Sequence, residues 1–531
     1  MPPAHNEPPK SARSATSGGA YVWFTSLSAA LGGFLMGFDA SVISGVVGFI
    51  EDEFQLNEIQ LGWAVASLTL TSTLAMLGAG PLSNRVGRVA VLKAAAALFF
   101  VSAIGCAFAP GYSPLVVARM LGGFAVGAAL IVAPMYIAEA APAAIRGRLV
   151  SLNQLNIVIG ISAAFFSNYL LLRLSQGQDP FIAQERLWRW MLGVEAVPAL
   201  LYLIVLQWVP ESPRWLQLRG RGEEALATLI RINGAEGGRS EQQAIKASLA
   251  AESAGKPAGF AELLRPRLRL VLLIALTIGI AQQATGINAV FFYAPMIFEQ
   301  SGFGDDAAFL QAVLVGLVNL LFTVVAIVFI DRLGRRPLLF AGLAGIAVFM
   351  LLLSWTFDRA TYQLSDEAVA AAPAEVRESL APLAGAVFDD EGDLRAALAG
   401  AGVGAEGGIE SELVAGAVRV DTTLVLIGIL GFVACFAFSA GPIMWVLFAE
   451  LFPNYVRAAA ISFVGLVNSA MSFLVQVLFP WELANFGSSL TFLVYGLVAI
   501  AGLAILARIM PETRGKSLEE LEQSLAPRSG S

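Results

Sequence analysis

Residues 84–88 read Asn84-Arg85-Val86-Gly87-Arg88, and residues 331–335 read Asp331-Arg332-Leu333-Gly334-Arg335. They form one of three short patterns that occur twice, once in each half of the chain. Glu139, Pro142, Ile145 and Arg146 are echoed by Glu450, Pro453, Val456 and Arg457, and Pro210-Glu211-Ser212 with Arg214 is echoed by Pro511-Glu512-Thr513-Arg514. A repeat of this kind reports duplicated architecture before any fold is named. The three offsets are 247, 311 and 301 residues, so the second half carries an insertion between its first and second pattern. The stretch 358–420, rich in Ala and Gly and holding 12 acidic residues against 4 arginines, accounts for it.

Working outward from these loops, apolar runs fall at 21–50, 60–82, 89–109, 113–138, 149–172, 188–209, 268–300, 307–330, 336–357, 421–450, 455–480 and 487–510. Each of the twelve is long enough to cross a hydrocarbon core of about 30 Å. The composition agrees: of 531 residues 57% are hydrophobic and 14% charged, where a soluble domain carries roughly a quarter charged residues. An all-α membrane protein is expected, and a soluble enzyme is nearly excluded. The single histidine, His5, lies in a Pro/Ser/Ala tail, and Cys106 and Cys435 sit in separate apolar runs. No metal-ligand cluster and no histidine-activated nucleophile can be assembled from these. A formal net charge of −7 offers no basic footprint for nucleic acid.

With the N-terminus on the cytoplasmic side, 25 of the 33 Lys and Arg residues face inward, 7 face outward, and Arg119 lies within the membrane. This excess places both termini in the cytoplasm of a cell (inner) membrane protein. Lys10 and Arg13 precede a first run far longer than a cleavable signal core, and no small-residue cleavage site follows it, so it is read as a retained helix. The expected organisation is a disordered tail over 1–20, a six-helix half over 21–209, a cytoplasmic linker over 210–267, a second six-helix half over 268–510 and a tail over 511–531. The linker's Glu/Ala/Leu-rich stretches predict short amphipathic helices. The 358–420 insert, following an odd-numbered span, is expected outside as a partly disordered or loosely helical loop; a small lid or partner-binding element is the alternative.

These patterns resemble the sugar porter family of the major facilitator superfamily from about residue 21 to residue 520. The resemblance is carried by Gly37-Phe38-Asp39, the two repeated loops at 84–88 and 331–336, Arg119 in the run 118–123, and Pro134-Met135-Tyr136-Ile137-Ala138-Glu139. It continues through Pro210–Trp215, Gln282–Asn288, Gly441–Trp445 and Pro511–Gly515. It implies two pseudo-symmetric six-helix halves that alternate access to a central site. The implied function is import of a monosaccharide, hexose or pentose, by proton symport, without cofactor or metal. A facilitative uniporter of the same fold, or a porter of a polyol or organic solute, is the alternative, and a sugar sensor the remotest one. Sugar, proton and lipid bilayer are the expected partners, and a monomer the expected state.

Asp39 and Arg119 stand roughly 16 Å and 9 Å below the outer surface at 1.5 Å per helical residue. A charge at such depth costs at least about 2.5–3.5 kcal/mol, so each should find a partner, and each is the other's obvious candidate. In the resembling family an aspartate at the Asp39 position is associated with proton symport. The alternative is a permanent ion pair fastening two helices. Glu195 in span six is a second buried carboxylate; it relays protons or pairs with inner-side arginines, and the second is favoured.

Arg85, Arg88, Glu139, Arg146, Glu211, Arg214, Arg332, Arg335, Glu450 and Arg457 gather at cytoplasmic span ends. The resemblance implies a gate of ion pairs between the halves that holds the outward-open state; ordinary topology-setting charge is the alternative. Asn84 stands where the superfamily pattern commonly has aspartate, so one gate charge is missing.

A sugar hydroxyl both donates and accepts, and so does a neutral amide. Gln154, Gln282, Gln283, Asn288, Asn319 and Asn468 are amides within apolar spans, where each costs free energy unless it meets a ligand, a neighbour or water. Hydrogen bonds between helices are the alternative use. At 100° per residue a straight helix would not aim Gln282, Gln283 and Asn288 inward together, which predicts a break at Gly286. A second break is expected at Gly441 and Pro442, with Trp445 as a stacking platform for the ring. Ile161, Phe292 and Ser469 depart from the commoner family pattern and leave the particular sugar open.

Overall fold

The structure, a computed structural model, describes residues 15–142, 145–177, 180–254, 260–388, 391–403, 409–453 and 456–511. Helices follow one another in the order α1 (Ala15–Val42), α2 (Val47–Phe54), α3 (Glu58–Val86), α4 (Arg88–Ala107), α5 (Tyr112–Ala140) and α6 (Arg146–Leu174). Next come α7 (Leu187–Gly193), α8 (Ala196–Val205), α9 (Pro213–Leu218), α10 (Gly222–Ala254), α11 (Arg269–Ala284), α12 (Ile287–Glu299), α13 (Asp305–Leu333) and α14 (Arg335–Asp358). After the insert, α19 (Thr422–Phe438), α20 (Ala440–Leu451) and α21 (Arg457–Ile509) complete the chain, with α15 to α18 lying in the insert itself. Helix α1 already runs from Ala15, so residues 15–20 are helical rather than part of a disordered tail. Residues 1–14 and 512–531, which hold the rest of the expected tails and Glu512 to Arg514, lie outside the described residues.

Among the described residues eleven helical stretches are long and apolar enough to cross a membrane. The last of them resolves into two. Helix α21 has 53 residues, about 80 Å at 1.5 Å per residue, more than twice a hydrocarbon core. Gly487 breaks it with φ 71 and ψ 169, torsions that glycine adopts without a Cβ penalty. The twelve crossings of a multi-pass membrane protein are therefore present.

The chain divides into two compact units, one comprising residues 1–40, 67–161 and 192–258, the other residues 41–66, 162–191 and 259–531. In the first, α4 packs along α5 and α8 along α4, around a buried set that includes Phe99, Tyr136 and Tyr202. Helices α1 and α6 cross at contact distance. A Cβ on Gly37 would sit 2.0 Å from the Ile157 carbonyl oxygen, and one on Gly160 would sit 2.1 Å from that of Phe34. Small residues at both sides of a crossing let backbones approach where lipid offers no hydrophobic drive. In the second unit, α11 packs on α21, and α14 on α19 and α21.

The linker holds α9 and one helix of 33 residues, α10, which Gly234 (φ 76, ψ 175) bends into two shorter pieces. Its Ile232 joins the buried set of the first unit, and the Arg231 guanidinium lies 4.6 Å from the centre of the Tyr21 ring.

The insert is a folded subdomain, which corrects the expectation of a loose loop. Strands β1 (Thr361–Gln363), β2 (Val387–Phe388) and β3 (Val418–Arg419) form an antiparallel sheet in the order β2-β1-β3. Tyr362 pairs with Phe388 on one side and Val418 on the other. Helices α15 (Asp366–Ala371), α16 (Ala374–Leu380), α17 (Glu391–Gly400) and α18 (Ile409–Ala417) surround a core of their own that includes Leu364, Leu380, Leu394, Leu398 and Leu413. Acidic and alanine-rich composition hid a leucine pair, Leu394 and Leu398, at helical i,i+4 spacing. Leu398→Ala should cost this subdomain about 2–5 kcal/mol. Hydrogen exchange across 358–420 should rise while the spans keep their protection; unchanged exchange in the insert would contradict a packed core.

Candidate functional site

Inside the first unit the structure brings Asp39 on α1 to Arg119 on α5. Arg119 Nη1 donates to Asp39 Oδ1 at 3.4 Å, and the two residues are 3% and 1% exposed. The pairing is incomplete. Asp39 Oδ2 and Arg119 Nε have no hydrogen-bond partner among the described residues. Glu195, the residue before α8, is also buried, lies within electrostatic reach of both, and leaves its Oε1 without a partner. Its electrostatic neighbours are thus Asp39 and Arg119, where pairing with inner-side arginines was the favoured expectation.

At the other ends of the same spans, Arg88 and Glu139 form a two-pronged pair, Nε to Oε2 at 2.9 Å and Nη2 to Oε1 at 2.8 Å. Ser212 Oγ donates to the same Glu139 carboxylate. Glu211 accepts from the backbone N–H groups of Arg88 (2.9 Å), Val89 (3.2 Å) and Ser212 (2.8 Å). A carboxylate over the first N–H groups of α4 is an anion at a helix N-terminus, favoured by the helix dipole and by the orphan donors there. Gly87, at φ 110, keeps clear the place where a side chain would meet Glu211.

The second unit repeats the pair: Arg335 Nη2 lies 3.1 Å from Glu450 Oε1, with Nε at 3.2 Å. The Arg88–Glu139 pair lies within the first unit and the Arg335–Glu450 pair within the second. Glu139 and Glu450 meet an arginine from the repeated loop because that loop is the short turn into α4 or α14, the neighbour each glutamate faces. Arg146 turns instead to Glu241 on α10 at 3.5 Å, and Arg457 Nε donates to Phe452 O at 3.1 Å. Arg85 and Arg332 are exposed at span ends, and Arg214 is half-buried on α9.

The amides of the second unit gather into one network. The expected break in span seven falls at Gly286 (φ 89, ψ 15), between α11 and α12. It lets Asn288 Nδ2 turn back to Gln283 Oε1 at 2.8 Å. Gln283 Nε2 donates to Asn468 Oδ1 (3.3 Å) and Gln282 Oε1 (3.1 Å), and Asn468 Nδ2 to Gln282 Oε1 (2.7 Å) and Gly279 O (2.8 Å). Two members were not foreseen from the sequence. Ser472 Oγ accepts from Asn288 Nδ2 at 2.5 Å and from Gln476 Nε2 at 2.8 Å. Asn468, Ser472 and Gln476 stand at i, i+4 and i+8, a polar stripe on one face of α21 that the spacing alone could have revealed.

The remaining candidates are more scattered. The break in span ten lies at Ser439 (φ −130, ψ −90), just ahead of Gly441 and Pro442; α20 starts at Ala440, which puts Pro442 in its first turn, where proline is tolerated. Trp445 is 42% exposed, edge-on to Phe448 at 6.0 Å, and follows Met444, whose sulfur lies 3.5 Å from Asn468 Nδ2. Asn319 is buried on α13 and makes no hydrogen bond to the network. Gln154 is half-buried on α6 in the first unit.

Beyond the spans, Glu51 on α2 is pushed up to about 7 by burial and then by the charges of Asp52 and Glu58. A carboxyl raised in the folded state contributes stability at low pH that is lost as pH rises through about 7. Glu51→Gln should therefore melt above the wild type near pH 8 and match it near pH 5; equal melting at both would refute the crowding.

The family model described as "Sugar (and other) transporter" matches residues 25–373 and 400–525. The arabinose-proton symporter of Bacillus subtilis is 34% identical over 95% of both chains, and the glucose transport protein of Synechocystis is 35% identical over 97% of this chain and all of that one. Among solved structures, the inward-open conformation of the xylose transporter XylE from E. coli superposes with a TM-score of 0.73 at 31% identity, covering 95% of this chain and all of that one. The chain belongs to the sugar transporter family of the major facilitator superfamily. Residues 374–399, which include α16 and nearly all of α17 of the insert, fall outside the family match.

Asn468→Ala would strip Gln282 and Gly279 of a donor. Sugar affinity measured by calorimetry should fall by about 1–3 kcal/mol, or roughly 5- to 150-fold. Wild-type affinity would remove the network from the binding site.

Proposed function

We propose that the chain imports a monosaccharide, hexose or pentose, by proton symport through alternating access of two six-helix halves, 21–209 and 268–510. It would sit as a monomer in the cell (inner) membrane with both termini in the cytoplasm. The observation that carries the reading is the incompletely satisfied Asp39–Arg119 pair, sealed at membrane depth on the same chain as a network of neutral amides. Its relatives, an arabinose-proton symporter and a glucose transport protein, support it.

The roles follow from the chemistry. Gln282, Gln283, Asn288 and Asn468, with Ser472 and Gln476, are exchangeable donors and acceptors, so a sugar can replace their mutual bonds one for one. Trp445 offers an exposed aromatic ring for the apolar side of the sugar, Asn319 is assigned to the same site, and Gln154 is assigned to sugar binding from the first unit. Asp39 takes a proton from outside, which cancels its attraction for Arg119 and frees the helices that carry them; release of the proton inside restores the pair. Glu195 shares the negative charge around the single guanidinium. The Arg88–Glu139 and Arg335–Glu450 pairs, with Arg85, Arg146, Glu211, Arg214, Arg332 and Arg457, form the cytoplasmic gate. One charge moved through 100 mV is worth about 2.3 kcal/mol, enough for roughly 50-fold accumulation.

Asp39→Asn should keep counterflow of labelled sugar in proteoliposomes and lose accumulation under an imposed pH gradient, the final ratio falling to about one. Undiminished accumulation would sink proton coupling at Asp39 and leave a facilitative uniporter or a different coupling group.

A further inference from the structure

We propose that Asp39 carries its proton on Oδ2, and that Ser102, across a gap kept open by Gly122, receives the hydrogen bond of the protonated acid. Ser102 and Gly122 are then positioning residues for coupling, a statement that rests on Asp39 being the proton carrier. The two oxygens of Asp39 are not equivalent. Oδ1 faces Arg119 Nη1 at 3.4 Å, whereas Oδ2 is without a hydrogen-bond partner among the described residues. The place a Cβ on Gly122 would occupy lies 2.6 Å from Asp39 Oδ2 and 2.6 Å from Ser102 Oγ. Both oxygens thus border the one spot that the missing side chain of Gly122 leaves free.

The hydroxyl hydrogen of Ser102 is already committed, because Oγ donates to Ala118 O at 2.8 Å. What Ser102 turns toward its surroundings is lone pairs, and a hydroxyl oxygen has two of them. Lone pairs repel an ionised carboxylate oxygen and accept from a protonated one, so Ser102 tells the two forms of Asp39 apart. Arg119 on Oδ1 favours the ionised form; Ser102 beside Oδ2 favours the loaded form. The other titratable groups in reach are Glu195 at the start of α8 and the Cys106 thiol one turn along α4 from Ser102. The step is a plain proton transfer: a proton from outer water binds Oδ2, its O–H points to Ser102 Oγ, and the same proton leaves to the inner side.

The test compares Ser102→Ala, Ser102→Thr and Gly122→Ala with wild type and Asp39→Asn in proteoliposomes, measuring proton-driven sugar uptake over a pH series and counterflow at one pH. Without the acceptor the loaded form is less favoured, so more acid is needed to fill it. The half-maximal pH for Ser102→Ala should move toward acid by about half to one unit, the worth of one hydrogen bond. Counterflow should be unchanged, and Ser102→Thr should restore the profile. Gly122→Ala, whose methyl separates the two oxygens, should move the profile the same way; if it fails to fold, the Ser102 pair decides alone. An unmoved or alkaline-shifted profile for Ser102→Ala, with accumulation lost in Asp39→Asn, overturns the assignment and leaves the carrier reading intact. Normal accumulation in Asp39→Asn removes the carrier reading instead.

Discussion

A guanidinium and a carboxylate 3.4 Å apart, almost without contact to water, can persist in an apolar helix bundle only while each offsets the other's desolvation. Much of the first unit serves that requirement. The close crossing of α1 and α6 at Gly37 and Gly160 fixes the turn that bears Asp39, and the packing of α5 on α4 fixes Arg119. Glu195 adds a second acid near one base. With both acids ionised the group carries one uncompensated negative charge at low dielectric, which a single proton removes.

The two repeats share a scaffold and divide the chemistry. Each has an arginine at the end of the repeated loop clamped to a glutamate, Arg88 to Glu139 and Arg335 to Glu450. The first pair is largely buried and the second partly so, and each ties its loop to the neighbouring helix. Among the described residues the buried Asp39–Arg119 pair lies in the first unit and the amide network in the second.

The insert follows a different rule. Its central part lies outside the family match, yet it closes a sheet and a leucine core of its own. Alanine and acid content suggested a loose chain because composition averages over the sparse leucines; the position of those leucines, one helical turn apart, is what packs them.

Span number, the paired loops, the family, and the identity of the buried acid, base and amides were legible from residue type and spacing, because lipid forces apolar runs into helices and makes every polar residue among them conspicuous. The break at Gly286 was legible too, since three amides could not share a straight helix face. Which partner each charge takes was not. Glu139 chose Arg88, Arg146 chose Glu241, and Glu195 joined the membrane-depth pair, since residues distant in sequence meet only once the helices have packed at particular rotations. The stripe of Asn468, Ser472 and Gln476 was available in the spacing, but which amides it would meet was not, and a one-dimensional pattern does not contain those distances.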